Sequence, residues 1–313
     1  MSKCEMKLFS GSSNPKLAQE ISEYLKVDLS EIELSRFKDG EISVKLKENV
    51  RGQDVFIIQS TCNPANEYIM ELLLIIDAAL RASAKRINVV TPYFGYARQD
   101  RKVEPRVPIS AKVVANIIQT TGADRLVTMD LHADQIQGFF DIPVDNLFFS
   151  SIAVDYLKSL KLENVVVVSP DSGGADRARF LAKKIDASLA IIDKRRPEAN
   201  ISEVMHVIGD VKDKSCILLD DMVDTGGSIS KAAQALKGEG AKEVYGLFGH
   251  PILSGDALKK LEGAGFKQII CTNSIPVAPK NKLSNMIILS IAPLFGEAIR
   301  RIHQAESVSS LFL

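Results

Sequence analysis

Two adjacent carboxylates, Asp220 and Asp221, follow an apolar run at residues 216–219 and lead into Asp224, Thr225, Gly226, Gly227 and Ser228. A helical pattern follows at residues 228–237. Paired glycines let a backbone approach an anion closely, and the free N–H groups of the next helix start would face it. The hydroxyls of Thr225 and Ser228 add donors. Carboxylates beside a phosphate repel it, so Asp220 and Asp221 need another partner; the vicinal hydroxyls of a sugar suit them. A plain strand–turn–helix junction would need only a capping Asp224 or Thr225. It would not require two acids at the strand end, and the ligand-binding reading is preferred.

The elements that must hold this turn are short Val-, Ile- and Leu-rich runs at 55–59, 87–91, 126–130, 165–169, 189–193, 216–220 and 243–248. Amphipathic helical patterns lie between them at 67–84, 110–121, 228–237 and 253–262. Continuous apolar strands alternating with helices predict parallel sheets covered on both faces. The reading is α/β, with two doubly wound parallel-sheet domains at residues 1–146 and 147–313. The runs 126–132 and 166–171 both pass from apolar residues into polar, potentially ligating ones, a weak likeness between the halves. Ligands of such sheets bind at the carboxyl ends of the strands.

Nucleotide chemistry here would need side-chain cations, because the sequence contains no G-x-x-x-x-G-K-[S/T] loop and no strand followed by G-x-G-x-x-G. Arg98, Arg101, Lys102 and Arg106 crowd one segment bounded by Gly and Pro, which is expected to be a mobile flap that closes over a triphosphate. Lys194 and Arg196 follow an apolar run with one residue between them, so an extended backbone would point both the same way. Lys+Arg and Asp+Glu each total 39, and this zero net charge argues against nucleic acid or an anionic membrane as partner. Neither a spanning apolar stretch nor a signal-peptide pattern is seen, and the four cysteines form no Cys-x-x-Cys pair; a cytoplasmic setting is expected.

Residues 220–228 resemble the signature loop of the type I phosphoribosyltransferase fold, in which the loop holds a 5-phosphate and the paired acids hold the ribose hydroxyls. That loop alone does not separate enzymes that consume 5-phosphoribosyl 1-diphosphate (PRPP) from those that make it. Four further segments, 36–41, 92–102, 130–140 and 191–197, resemble the PRPP synthetase family, and the likeness covers nearly the whole chain. It implies transfer of the diphosphoryl group of Mg-ATP to ribose 5-phosphate. A PRPP-using transferase and a non-catalytic regulatory homologue are the alternatives.

By this resemblance Lys194 and Arg196 are the catalytic pair; Phe37, Asp39, Gly40, Glu41, Arg98 and Gln99 bind ATP. Arg196, Asp220, Asp221, Asp224, Thr225, Gly226, Gly227 and Ser228 bind ribose 5-phosphate, and His132 and Asp171 hold Mg2+. The family further implies a homohexamer, with phosphate and ADP as effectors at a site matching Arg51, Arg106, Ser307, Ser309 and Ser310. Lys38 and the Val103-Glu104-Pro105 run depart from the family's usual residues, and His250 has no assigned role.

Overall fold

Apolar pentapeptides build two sets of parallel strands in this computed structural model, which describes residues 4–195 and 204–312. The chain divides into two units. One comprises residues 1–148, 274–276 and 290–313; the other comprises 149–273 and 277–289. The expected cut near residue 146 therefore needs correction at the far end, because the last part of the chain groups with the first unit.

The first unit begins with β1 (Met6–Ser10) and α1 (Pro15–Leu25). The Asn14 side chain accepts the Leu17 N–H and Pro15 opens the helix, a start signal written in the sequence. The hairpin β2 (Ile32–Arg36) and β3 (Ile42–Leu46) comes next, then β4 (Asp54–Ile58) and α2 (Ala65–Arg81). β5 (Arg86–Thr91), α3 (Ser110–Thr121), β6 (Arg125–Met129) and β7 (Val144–Leu147) follow. The parallel sheet runs β1-β4-β5-β6-β7. β4 is buried along its whole length, as expected of a strand covered on both faces. The hairpin forms its own antiparallel sheet; its alternating Ile32, Leu34, Val44 and Leu46 pack on the core that holds Leu72, Ile75 and Ile76, while Glu33 and Lys45 face water.

The second unit contains α4 (Ser150–Ser159), β8 (Val165–Ser169), α5 (Ala175–Lys184), β9 (Ser188–Arg195) and β10 (Val204–Ile208). β11 (Ser215–Val223), α6 (Gly227–Gly238), β12 (Glu243–Pro251), α7 (Ala257–Gly263), β13 (Gln268–Thr272) and β14 (Met286–Leu289) complete it. Its strand order is β10-β9-β8-β11-β12-β13-β14, parallel except for β10 against β9. The chain leaves β8 toward β9 on one side and leaves β11 toward β12 on the other, so winding reverses between β8 and β11. The core of this unit joins Val166, Leu218, Ala233, Phe248 and Ile269.

The final helix, α8 (Ala292–His303), returns to the first unit and packs on α1. Its end is fastened at Asp54, which is fully buried. That carboxylate accepts from Arg86 Nε at 3.0 Å and Asn88 Nδ2 at 2.8 Å, and lies 2.8 Å from His303 Nδ1.

The two units share one order of elements. A leading strand and helix, a hairpin or hairpin-like pair, and then four further parallel strands occur in both. β1 thus corresponds to β8 and β4 to β11. The internal likeness expected between 126–132 and 166–171 falls on β6 and β8, which hold different places, so that pairing is corrected to β1 with β8.

Candidate functional site

At the reversal between β8 and β11 the carboxyl ends of two neighbouring strands diverge, the place where open α/β sheets bind ligands. β11 extends through Val223, so Asp220 and Asp221 lie inside the strand rather than after it. Asp221 is buried, and its N–H donates to Asp220 Oδ1 at 2.9 Å. Arg177, on α5, approaches Asp221 with Nη1 3.6 Å from Oδ1. Burial pushes the Asp220 carboxyl well above the ordinary carboxylate range; Asp221 adds to that, Arg177 opposes it and Asp171 raises it further. Among the described residues the strand ends therefore set Asp171, Asp220 and Asp221 near Arg177.

The turn after β11 leads straight into α6, whose first residue is Gly227. Gly226 has φ +71°, a left-handed conformation that a side chain would strain. A Cβ there would also sit 3.2 Å from the Ala257 carbonyl oxygen. The Ser254 N–H donates to the Asp224 carbonyl at 3.0 Å and ties down the start of the turn. Thr225 and Ser228 are exposed, with hydroxyls open to a ligand. On the β8 side, Ser169 Oγ donates to the Asp171 carbonyl at 2.7 Å, and Asp171 Oδ1 accepts the Gly174 N–H at 3.1 Å. Arg177 and this second small-residue turn escaped the sequence reading; a signal was present in Asp171-Ser172-Gly173-Gly174, which repeats the acid-then-paired-glycine composition of the first turn.

Lys194 lies in β9 with Met205 opposite it on β10. Arg196 lies outside the described residues. Phe37, Asp39, Gly40 and Glu41 form the tip of the β2–β3 hairpin in the first unit. There the Phe37 N–H donates to the Glu41 carbonyl at 2.9 Å, the Gly40 N–H donates to the Phe37 carbonyl at 3.0 Å, and Asp39 Oδ1 accepts the Glu41 N–H at 3.2 Å. This closed loop leaves Phe37 exposed to solvent, at 59%. The ring is suited to stacking on a planar base.

Arg98 through Arg106 form an exposed segment outside regular secondary structure, apart from the partly buried Asp100. Its base is fastened: the Gln99 carbonyl accepts the Ala111 N–H at 3.2 Å, Ser110 Oγ donates to the Gln99 side chain, and Gln135 Nε2 donates to Asp100 Oδ2 at 2.7 Å. His132 is exposed just beyond the end of β6. Among the described residues no three His, Cys, Asp or Glu side chains converge as a metal cage. At the carboxyl-terminal end of the chain, Arg301 Nη1 donates to the Ser307 carbonyl at 2.8 Å and to Ser310 Oγ at 2.6 Å. Arg51 Nη1 donates to Ser83 Oγ at 3.2 Å. No helix among the described residues is long and apolar enough to cross a membrane.

Residues 6–122 match the family model for the N-terminal domain of ribose phosphate pyrophosphokinase, and 196–313 match the phosphoribosyl synthetase-associated domain. The ribose-phosphate pyrophosphokinase of Bacillus caldolyticus is 53% identical over the full length of both chains. The chain belongs to the ribose-phosphate pyrophosphokinase family. The family's Campylobacter jejuni member is 54% identical, with 98% of this chain and 99% of that one covered. The crystal structure of phosphoribosylpyrophosphate synthetase from Mycobacterium smegmatis superposes with a TM-score of 0.92 at 42% identity, covering 96% and 99% of the two chains. These family relationships extend over both units, and the fold is of the phosphoribosyltransferase type.

Proposed function

We propose that the turn after β11 holds ribose 5-phosphate, that residues of the first unit hold ATP, and that Lys194 and Arg196 carry the charge of the group in transfer. The reaction follows from family membership: the diphosphoryl group of ATP passes to the 1-hydroxyl of ribose 5-phosphate, giving PRPP and AMP. The chain is thus a transferase of the diphosphokinase kind.

The observation that carries the division of labour is the Asp220–Asp221 pair at the winding reversal, directly before a glycine-paired helix start. In this reading Asp220 and Asp221 accept hydrogen bonds from the ribose 2- and 3-hydroxyls and fix the sugar's orientation. The N–H groups of the first turn of α6, with Thr225 and Ser228, receive the 5-phosphate. Asp224, Gly226 and Gly227 shape the loop. The sugar's 1-hydroxyl is then presented to the β-phosphorus in line. Phosphoryl-type transfer needs little covalent help, so positioning and charge stabilisation do most of the work. Lys194 and Arg196 receive the negative charge of the diphosphoryl group. Phe37, Asp39, Gly40 and Glu41 hold the base, while Arg98 and Gln99 hold the polyphosphate on a flap that excludes water.

Mg2+ fits these residues. The cluster of Asp171, Asp220 and Asp221 is held against mutual repulsion with one arginine in partial compensation. This metal usually takes few protein carboxylates and fills its shell from water and phosphate oxygens. In the second unit Asp171 would hold it, with Asp220 and Asp221 through water, and when bound it would neutralise polyphosphate charge; for His132, in the first unit, the same role rests on the family resemblance alone. A homohexamer in the cytoplasm, with phosphate and ADP acting near Arg51, Arg106, Ser307, Ser309 and Ser310, completes the reading. Purified protein with Mg2+, phosphate, ATP and ribose 5-phosphate should release AMP in proportion to ribose 5-phosphate consumed. Nucleobase-dependent release of diphosphate from PRPP, without AMP formation from ATP, would overturn it.

A further inference from the structure

The shared element order sets the turn after β1 opposite in role to the turn after β8, and the end of β4 opposite to the end of β11. The first unit lacks the second unit's acids: β4 is followed by Gln59 and Ser60 where β11 carries Asp220 and Asp221. Its turn, 11–14, nevertheless carries small residues and opens the N-terminus of α1. An anion already sits on this turn. Glu71 of α2 is 6% exposed, and its carboxylate accepts the Ser12 N–H at 2.7 Å, the Ser12 hydroxyl at 2.7 Å and Gln59 Nε2 at 2.7 Å. Gln59, fully buried, accepts the Ser13 N–H at 3.0 Å and so joins the carboxylate to the turn. A Cβ on Gly11 would lie 2.2 Å from Gln59 Oε1, so glycine is what lets this amide seat itself there.

No cation pairs with Glu71 among the described residues. A buried carboxylate is costly unless hydrogen-bond donors replace its water, and here a backbone amide, a hydroxyl and a side-chain amide do so. The Ser13 hydroxyl, 3% exposed in the same turn, has no hydrogen-bond partner among the described residues. Donors converging on one anion, with a further hydroxyl left over, are what an anion-binding loop offers.

We propose that the turn 11–14 is an anion cradle whose occupant is the chain's own Glu71 carboxylate, and that shortening this side chain opens it to a small free carboxylate. The first unit then takes up no external anion at this turn, and each chain presents one sugar-phosphate cradle although its fold supplies the framework for two.

The test is thermal melting, which does not depend on the assignment of the substrate site. Glu71→Ala should melt below the parent chain. Sodium acetate, which restores the missing carboxylate and the one methylene carbon lost with it, should raise the variant's Tm by about 2–4 °C in a saturable way, with sodium chloride at equal ionic strength ineffective and the parent unaffected. A variant that folds but shows no acetate-specific rise would overturn the proposal. Should Glu71→Ala fail to fold, Glu71→Gln decides: an amide turns N–H toward groups that themselves donate, so its Tm should fall and acetate should not restore it. Parent-like melting of Glu71→Gln would show that the turn needs no anion.

Discussion

Arg177 stands 3.6 Å from Asp221 and opposes the rise of the Asp220 carboxyl. Its side chain is 18% exposed and that of Asp221 5%, so this pair works in a region where water screens little. Arg177 therefore acts as a positioning residue for the two acids. Removing one partner of a mostly buried charge pair costs about 2–3 kcal/mol, or roughly 30–150-fold in an equilibrium. Arg177→Met should raise the KM for ribose 5-phosphate by about that factor while the KM for ATP moves little, and Arg177→Lys should recover part of the loss. Initial rates of AMP release against each substrate measure this; equal effects on both KM values would contradict it.

Asp220 is held beside like charges, a cost to stability that the proposed sugar-binding role would explain. Asp220→Asn keeps the shape and removes one of the repelling charges. Without substrates the variant should melt above the parent, by about 1 kcal/mol in stability. Its kcat/KM for ribose 5-phosphate should fall at least tenfold, since an amide accepts less well from a hydroxyl. Calorimetry and the rate assay on one preparation check both halves.

For Lys194 and Arg196, replacement by Ala should lower kcat by about 10²–10³ with smaller changes in KM, the usual effect of losing a donor that acts on transition-state charge. Single-turnover measurements of AMP formation would separate this from slow product release. Near-normal turnover in both variants would remove the pair from the mechanism.

A pH effect should arise from a group with no assigned part in the chemistry. Hydrogen bonds from Arg300 and Arg301 hold the Glu297 carboxyl down from 4.5 to about 2. A carboxyl lowered in the folded state stabilises above its unfolded value and loses that contribution as pH falls toward the folded one. Stability should therefore decline between pH 4.5 and about 2 through this group. Glu297→Gln should be less stable at neutral pH and show a shallower acid decline in urea titrations; an unchanged acid profile would rule the group out.

Much of this architecture could be read from residue patterns because buried parallel strands leave continuous apolar runs. The helix expected at 110–121 matches α3, and β11 was found from its apolar run at 216–219. The turn after β11 was legible as a candidate site since acids, glycines and hydroxyls are contiguous in sequence. The hairpin β2–β3 was not foreseen, because it is half exposed and its apolar positions alternate with charges. The helix expected at 253–262 starts later, at Ala257, since Leu253 and Gly255 both take positive φ. Arg177 and Glu71 were missed for a different reason: each lies on a helix as an ordinary charged residue, and its role depends on a neighbour distant in sequence that only folding supplies.

The return of α8 to the first unit has a consequence for biosynthesis. Asp54 and Arg86 leave the ribosome early, yet their partners His303 and Ile302 follow 249 and 216 residues later. The second unit, encoded between them, has all its strands available before the first can be closed. The half of the protein that is synthesised first is therefore finished last, and until then its buried aspartate waits for its C-terminal clasp.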